Sequence, residues 1–362
     1  MKQLVICPNN FHKHYEDTFS YGKLKFNGKD INYALIETED TYFNPNEHVD
    51  KVLIRKKAFS CNYRDLSILL LQSERINNNS QIAYTPFGSE FSGIIEDIGN
   101  NVVNFKVGDR VICNGSYDIN NNEFGLPSNG TSKELEIIDI GNIIHMPSKM
   151  SYAVGAGFTI GAQTVYSMIN KLKLEKKAKV LLTGIRANTS LFALSALKKN
   201  NIDVYGLTRS KINESLFKKH GMKEIFNFKE EEGFLSNPSL YELIKKTGGF
   251  DAIIDPFTDS YFFDALKALK FNGKYITCGL SNQFDYDYKK ISLNTELAAL
   301  ILKNLKIIGN CLGKTEDLRE ALDDFQKGNL YVFIDSITND PIEFMNQSFI
   351  NKNRLGKVIF EY

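Results

Sequence analysis

From Ala178 onward the chain alternates short, continuously apolar runs with amphipathic stretches, and that alternation leaves few folds open. "KVLLTG", "DVYGLTR", "EIFNF", "FDAIID" and "KYITCGL" are separated by helical patterns through "TSLFALSALKKN", "NESLFKKHG", "SLYELIKKTG" and "FFDALKALKFNG". Strands that are apolar on both faces, each followed by a helix, make βαβ units. Right-handed crossovers wind such units into a parallel sheet covered on both sides. The expectation is an α/β, doubly wound parallel sheet of the Rossmann type. A helix over "TEDLREALDDFQKGN" and a strand in "LGKVIFEY" follow it.

The first 150 or so residues have another texture. "DKVLIRKKAFSC", "EFSGIIEDIG", "GDRVICNG" and "SKELEIIDIGNIIHMP" read as short strands between turn clusters, which predicts a β-rich, barrel-like domain. "SYAVGAGFTIGAQTVYSMINKL" then turns helical, with Ser151 as its N-cap, so a boundary belongs near there. A chain of 362 residues exceeds what one hydrophobic core comfortably serves, in keeping with two domains. The Asn-rich "YDINNNEFG" reads as a surface loop.

Charge and cysteine content narrow the function classes. With 44 Lys+Arg against 43 Asp+Glu, the chain offers no global field for nucleic acid or anionic lipid. Charges interrupt every apolar run before it reaches membrane-spanning length, and "MKQLVICPNN" lacks the core of a secretory signal. The 5 cysteines are scattered with no CxxC pair, which argues against a disulfide framework and suits a reducing cytoplasm. The 5 histidines are equally dispersed, so no metal site is expected.

In a dinucleotide-binding sheet the first strand runs into a glycine-rich turn, so that backbone N–H groups and a helix N-terminus can approach the pyrophosphate. Here the turn is "LLTGIRANTSLFALSAL". Gly184 remains, while Ala187 and Ser190 stand where further glycines are expected; Arg186, Asn188 and Thr189 complete the candidate loop. Small side chains still permit close approach, yet a merely structural turn is equally compatible with this degenerate pattern. An acid at the end of the second strand would bind the ribose 2′-hydroxyl of NAD. The chain instead carries Thr208, Arg209, Ser210 and Lys211, hydroxyls and cations suited to the 2′-phosphate of NADPH. The alternative for Arg209 and Lys211 is a pair of solvated charges at a helix start.

Together "CNYRD", "GSEFSGIIEDIGNNVVNFKVGDRV", "VLLTGIRANTSLFAL", "FDAIIDPFTDSYFFDALKALKFNGKYITCGL" and "RLGKVIFEY" resemble the medium-chain dehydrogenase/reductase superfamily along nearly the whole chain. The resemblance implies a GroES-like catalytic domain of residues 1–150 and 315–362, with a Rossmann domain of residues 151–314 inserted. It adds Cys278, Gly279 and Leu280 to the expected cofactor contacts. It also implies a homodimer, for which "NLKIIGNCLG" is the candidate edge, although its apolar alternation equally fits a strand buried within one chain. Zinc-dependent members of that family hold the metal with a Cys three residues before an Asp, with the His of a GHE motif, and with a third ligand in the helix near the domain junction. This chain has Asn62 three residues before Asp65, Ser89 in "GSE", and a Cys-free "FTIGAQTVY". Neither an amide nor a hydroxyl replaces thiolate or imidazole as a zinc ligand.

Without that Lewis acid, hydride transfer is easiest onto an alkene conjugated to a carbonyl, whose charge delocalises as an enolate held by hydrogen bonds. The resemblance to the zinc-independent branch, quinone and enoyl reductases, makes Asn62 an orienting residue and Tyr63 a candidate donor, with Arg64 and Asp65 as a supporting ion pair. A core or rim aromatic is the competing reading of Tyr63, and turn-stabilising acids the reading preferred for Glu90 and Asp109. More narrowly, "NTSLFA" resembles a subgroup that includes the lanthipeptide dehydroalanine reductases of lantibiotic biosynthesis, which implies a peptide substrate and D-alanine as product. Reduction of a quinone or small enone, and a non-catalytic nucleotide-binding scaffold, stand as alternatives.

Overall fold

The computed structural model describes residues 1–11, 18–79, 81–116, 128–280 and 294–362. The "YDINNNEFG" segment lies outside them. The N-terminal part lays down β1 (Lys2–Ile6), β2 (Thr18–Phe26), β3 (Lys29–Glu37), β4 (Lys51–Ser60), helix α1 (Asp65–Asn78), β5 (Thr85–Pro86), β6 (Glu90–Ile98), β7 (Arg110–Cys113), β8 (Leu135–Asp139), β9 (Ile143–His145) and a short helix α2 (Tyr152–Ala156). Two residues, Asn27 (φ 47°) and Gly28 (φ 76°), turn β2 into β3. Both positive angles suit the right-handed twist of a tight hairpin. Strands β2, β3, β1 and β5 form one sheet in that order.

Ser151 does cap α2, accepting from the Val154 N–H at 3.2 Å. The helical stretch expected after it is two helices, because Gly157 and Phe158 break the run before α3 (Thr159–Leu172). The second part then alternates β10 (Lys179–Leu182), α4 (Asn188–Leu197), β11 (Asp203–Thr208), α5 (Glu214–Lys219), β12 (Met222–Asn227), α6 (Pro238–Thr247), β13 (Phe250–Asp255), α7 (Thr258–Ala268), β14 (Leu269–Thr277), α8 (Asn294–Leu302), β15 (Lys306–Gly309) and α9 (Thr315–Gln326). Six strands pair in the order β12-β11-β10-β13-β14-β15, and every pairing is parallel. This is the doubly wound sheet expected from the alternation. Chain order reverses between β10 and β13, so a crevice opens at their carboxyl ends, where such sheets bind ligands. The core under that crevice includes Leu181, Leu207, Ile253, Tyr261 and Tyr275.

The chain ends in β16 (Ile334–Thr338), α10 (Pro341–Phe349) and β17 (Lys357–Glu361). These complete a seven-stranded sheet, β16-β17-β4-β6-β7-β9 with β8 paired to β4. Contacts divide the chain into two compact units, Met1–Ile160 with Ile334–Tyr362, and Gly161–Phe333. The sequence reading sets its boundaries at 150/151 and 314/315, and side-chain anchoring accounts for the difference at both. Ala153 and Ala156 of α2 pack on Ala58 and Ile359 of the barrel unit. In the nucleotide unit α9 is fastened by Asp324, which accepts from the Tyr166 hydroxyl at 2.5 Å and pairs with Lys199. Among the described residues no helix is long and apolar enough to cross a membrane.

Burial would raise the Asp324 pKa, but the hydrogen bonds from Lys199 and Tyr166 and the Lys199 charge outweigh it and hold the carboxyl below its ordinary value. A depressed carboxylate stabilises the fold above the unfolded pKa of about 3.9 and loses that contribution as pH falls through the folded value. Asp324→Ala should therefore cost about 2–3 kcal/mol in urea unfolding at pH 7, and its deficit against the parent protein should shrink below about pH 4.

Candidate active site

In the barrel unit, the end of β4 and the start of β6 bring the residues singled out in "CNYRD" and "GSE" side by side, because Ser60 pairs with Glu90 in the antiparallel register. Ser89 donates to Asp65 Oδ2 at 2.6 Å, and the same oxygen accepts from the Asn62 backbone N–H at 2.6 Å. The Asn62 amide group donates to Ser89 Oγ at 3.0 Å and to Glu90 Oε1 at 2.8 Å. Its carbonyl accepts from Lys357 Nζ at 2.8 Å. The Asn62 side chain is thus engaged on every side within the protein. Asp65 is buried, which raises its pKa despite the hydrogen bonds from Ser89 and the Asn62 N–H. Arg64 approaches it at 3.4 Å, the ion pair expected from sequence, and also donates to Asn129 at 3.1 Å.

Lys357 is the residue that sequence reading missed. It opens β17, is 3% exposed, and forms an ion pair with Glu90, which is 0% exposed. Besides Glu90 and Asn62, its ammonium meets the Cys61 carbonyl at 3.2 Å and Ser60 Oγ at 3.2 Å. The other Glu90 oxygen accepts from the Ile160 N–H at 2.7 Å. A signal was available: a lysine inside an apolar terminal strand needs an acid, and the buried Glu90 of "GSE" is that acid. Asp109 is a turn residue, accepting from the Lys106 N–H at 3.0 Å. Tyr63 is 39% exposed, unlike the buried groups around it. Among the described residues no group of three or more His, Cys, Asp or Glu is placed to hold a metal.

In the nucleotide unit, Gly184 takes φ +48°, and a Cβ there would meet the Phe257 ring at 2.8 Å, so glycine is required for both reasons. Helix α4 begins directly after this turn with no side-chain cap at Ala187. Its first N–H groups carry the positive end of the helix dipole into the crevice. Asn188 Oδ1 is buried without a partner among the described residues, as expected where a ligand or water completes the bonding. Ser190 is turned inward, its hydroxyl donating to the Thr183 carbonyl at 2.7 Å, so it braces the turn. Asp255, at the end of β13, receives the Thr183 hydroxyl at 2.5 Å and the Tyr275 hydroxyl at 2.6 Å. Burial raises its pKa against those bonds.

Cys278 and Gly279 come to the same place. The Thr189 hydroxyl bonds Cys278, whose thiol is pushed up to about 12 chiefly by burial. Thr258 of α7 donates through its N–H to the Gly279 carbonyl at 3.1 Å. Leu280 is 43% exposed. At the neighbouring strand end, Thr208 Oγ1 accepts from the Ser210 N–H at 3.1 Å. Arg209 lies over the Tyr261 ring, 5.9 Å from its centroid, and Lys211 is exposed. Arg186 is half-buried in the turn. The geometry therefore gathers Gly184 to Ser190 with Cys278 and Gly279, and sets Thr208 to Ser210 beside them. The inward turn of Ser190 commits its hydroxyl to the Thr183 carbonyl rather than to the crevice.

Residues 48–148 match the family model of the alcohol dehydrogenase GroES-like domain, and residues 189–327 match that of zinc-binding dehydrogenases. The chain belongs to the medium-chain dehydrogenase/reductase superfamily. Within that superfamily, acryloyl-coenzyme A reductase of Sulfurisphaera tokodaii is 25% identical over 344 residues, covering 90% of this chain and 96% of the relative. Quinone oxidoreductase of Mus musculus is 26% identical over 236 residues, covering 65% and 66%. A solved NAD-dependent alcohol dehydrogenase aligns with a TM-score of 0.77 and 17% identity over 100% of both chains, which shows the shared fold. Asn62 and Ser89, which the sequence resemblance sets against zinc-ligand positions, are bonded to each other and to Asp65.

Lys357→Met should destabilise the barrel unit by about 3–5 kcal/mol, because it strands a buried carboxylate. Adding Glu90→Gln should recover part of that loss, and the coupling is measured by a double-mutant cycle in guanidinium unfolding.

Proposed function

We propose that the protein is an NADPH-dependent, zinc-independent oxidoreductase that reduces carbon–carbon double bonds conjugated to a carbonyl. The observation that carries this reading is the Asn62, Ser89 and Asp65 set, in which hydrogen bonds within the protein occupy the side chains at the metal-ligand positions. A conjugated alkene needs no Lewis acid, since hydrogen bonds suffice to stabilise an enolate. Support comes from the acryloyl thioester named in the 25%-identical relative, itself an activated alkene.

The Gly184 turn, the uncapped start of α4, and the Thr208 to Lys211 segment fit a nicotinamide dinucleotide. Bound there, it would supply the hydride. Tyr63, with its hydroxyl-bearing ring 39% exposed, is the proposed donor to the substrate oxygen or α-carbon. Asn62 is a positioning residue in this proposal, since its amide is committed to Lys357, Ser89 and Glu90.

At its most concrete the proposal is dehydroalanine in a modified peptide. The β-methylene accepts hydride, the peptide carbonyl carries the enolate charge, and a proton delivered to the α-carbon gives alanine, the D form if delivery is to the appropriate face. The "NTSLFA" sequence at the start of α4 supports this reading. Reduction of quinones or small enones is the second reading, favoured by the quinone oxidoreductase match. A cytoplasmic homodimer through β15, which lies at the edge of its sheet, completes the proposal.

Incubating the protein with NADPH and a dehydroalanine peptide should add two hydrogens to the peptide by mass spectrometry. Quinone turnover with an unchanged peptide mass would shift the assignment to the second reading. Tyr63→Phe should lower kcat roughly 100-fold with little change in NADPH binding. Light scattering should report twice the mass of one chain.

A further inference from the structure

Arg209 is not waiting open for a phosphate. Its guanidinium pairs with Glu230 Oε1 at 2.5 Å, with the two side chains 37% and 69% exposed. Beneath it lies the buried Tyr261 ring, whose hydroxyl is 4.0 Å from the position of a Cβ on Gly184. One ring thus links the phosphate turn to the guanidinium. Glu230 begins a single turn of three consecutive acids, Glu230 to Glu232. Lys229 neutralises Glu232 at 3.2 Å, whereas Glu230 is directed to Arg209.

We infer that Glu230 is a built-in competitor for the ribose 2′-phosphate: it occupies Arg209 in the nucleotide-free protein, is displaced by a 2′-phosphorylated nucleotide, and thereby sets how strongly the site prefers NADPH over NADH. The inference rests on the NADPH reading above and assigns a specificity role to a residue outside the strand-end segment. Physical chemistry gives its direction. A single exposed ion pair is weak, because both partners are well hydrated and lose side-chain freedom. A phosphate monoester brings nearly two charges and three oxygens, and takes a guanidinium through two hydrogen bonds. It therefore outcompetes one carboxylate. The displaced Glu230 stays close, and with Glu231 it repels the dianion. Both effects weaken binding of a 2′-phosphate and leave a nucleotide without one nearly untouched.

The test is calorimetric titration of the full-length protein with 2′,5′-ADP and with 5′-AMP, alongside NADPH and NADH. Glu230→Gln keeps the size of the side chain and removes its charge, at a surface position where folding is checked by the melting temperature. The expected result is a gain of about five- to tenfold in affinity for 2′,5′-ADP and NADPH, with 5′-AMP and NADH unchanged. That gain should shrink as salt screens the charges. Arg209→Met should abolish most of the distinction between the two nucleotide classes, and Glu230→Gln added to it should gain much less than it does alone, since the competition is gone and only the repulsion of the dianion is left to relieve. Unchanged or weakened 2′,5′-ADP binding in Glu230→Gln overturns the inference, the latter by showing that the carboxylate only preorients Arg209. An equal gain for both nucleotide classes overturns it as well. Failure of the parent reading looks different: the unsubstituted protein would then bind neither NADPH nor NADH, or would bind NADH in preference to NADPH.

Discussion

The Lys357 ammonium and the Glu90 carboxylate hold the barrel unit's candidate site together. An unpaired charge at either position would be prohibitively costly in so dry a place, so each dictates where the other's strand must lie. Their pairing brings the last strand of the chain against the end of β4 and the start of β6. Through Asn62 it also fixes the orientation of the segment that presents Tyr63. The second Glu90 oxygen reaches the Ile160 N–H, at the start of α3. A few buried polar groups therefore organise segments that are remote in sequence, and the apolar packing around them is built to suit.

The nucleotide unit depends on backbone geometry more than on charge. Its parallel order puts the ends of β10 and β13 at the reversal point, and there Asp255 ties Thr183 to Tyr275. This carboxylate braces the turn from below. The left-handed conformation of Gly184 and its clearance from Phe257 shape the turn itself. Loss of the usual further glycines is offset by Ser190, whose hydroxyl is bonded to the Thr183 carbonyl.

Much of this was legible because period and local chemistry agree. Fully buried parallel strands are apolar without alternation, so β10, β11 and β13 stand out, and Ser151 caps its helix as its type suggests. The stretch "FFDALKALKFNG" was harder. Its helix stops at Ala268 and β14 begins at Leu269, since pairing with Phe250 of β13 overrides local helical preference. The β2–β3 hairpin carries its own local signal, the Asn27-Gly28 pair with positive φ at both residues. Lys357, Glu230 and Asp255 could not be assigned from spacing, because each acts through partners distant in the chain. The site residues of "CNYRD" and "GSE" were individually visible, but their mutual saturation by hydrogen bonds is a property of tertiary structure alone.

That saturation bears on how easily such a site changes its chemistry over evolutionary time. Installing a thiolate at position 62 would take an acceptor from Lys357 and donors from Ser89 and Glu90. Installing an imidazole at position 89 would remove the hydroxyl that serves Asp65. Each single step toward a metal centre removes hydrogen bonds from a buried network before any ion can compensate them. Stepwise introduction of metal-ligating side chains at positions 62 and 89 would therefore cross a stability valley, so the hydrogen-bonded arrangement resists such replacement.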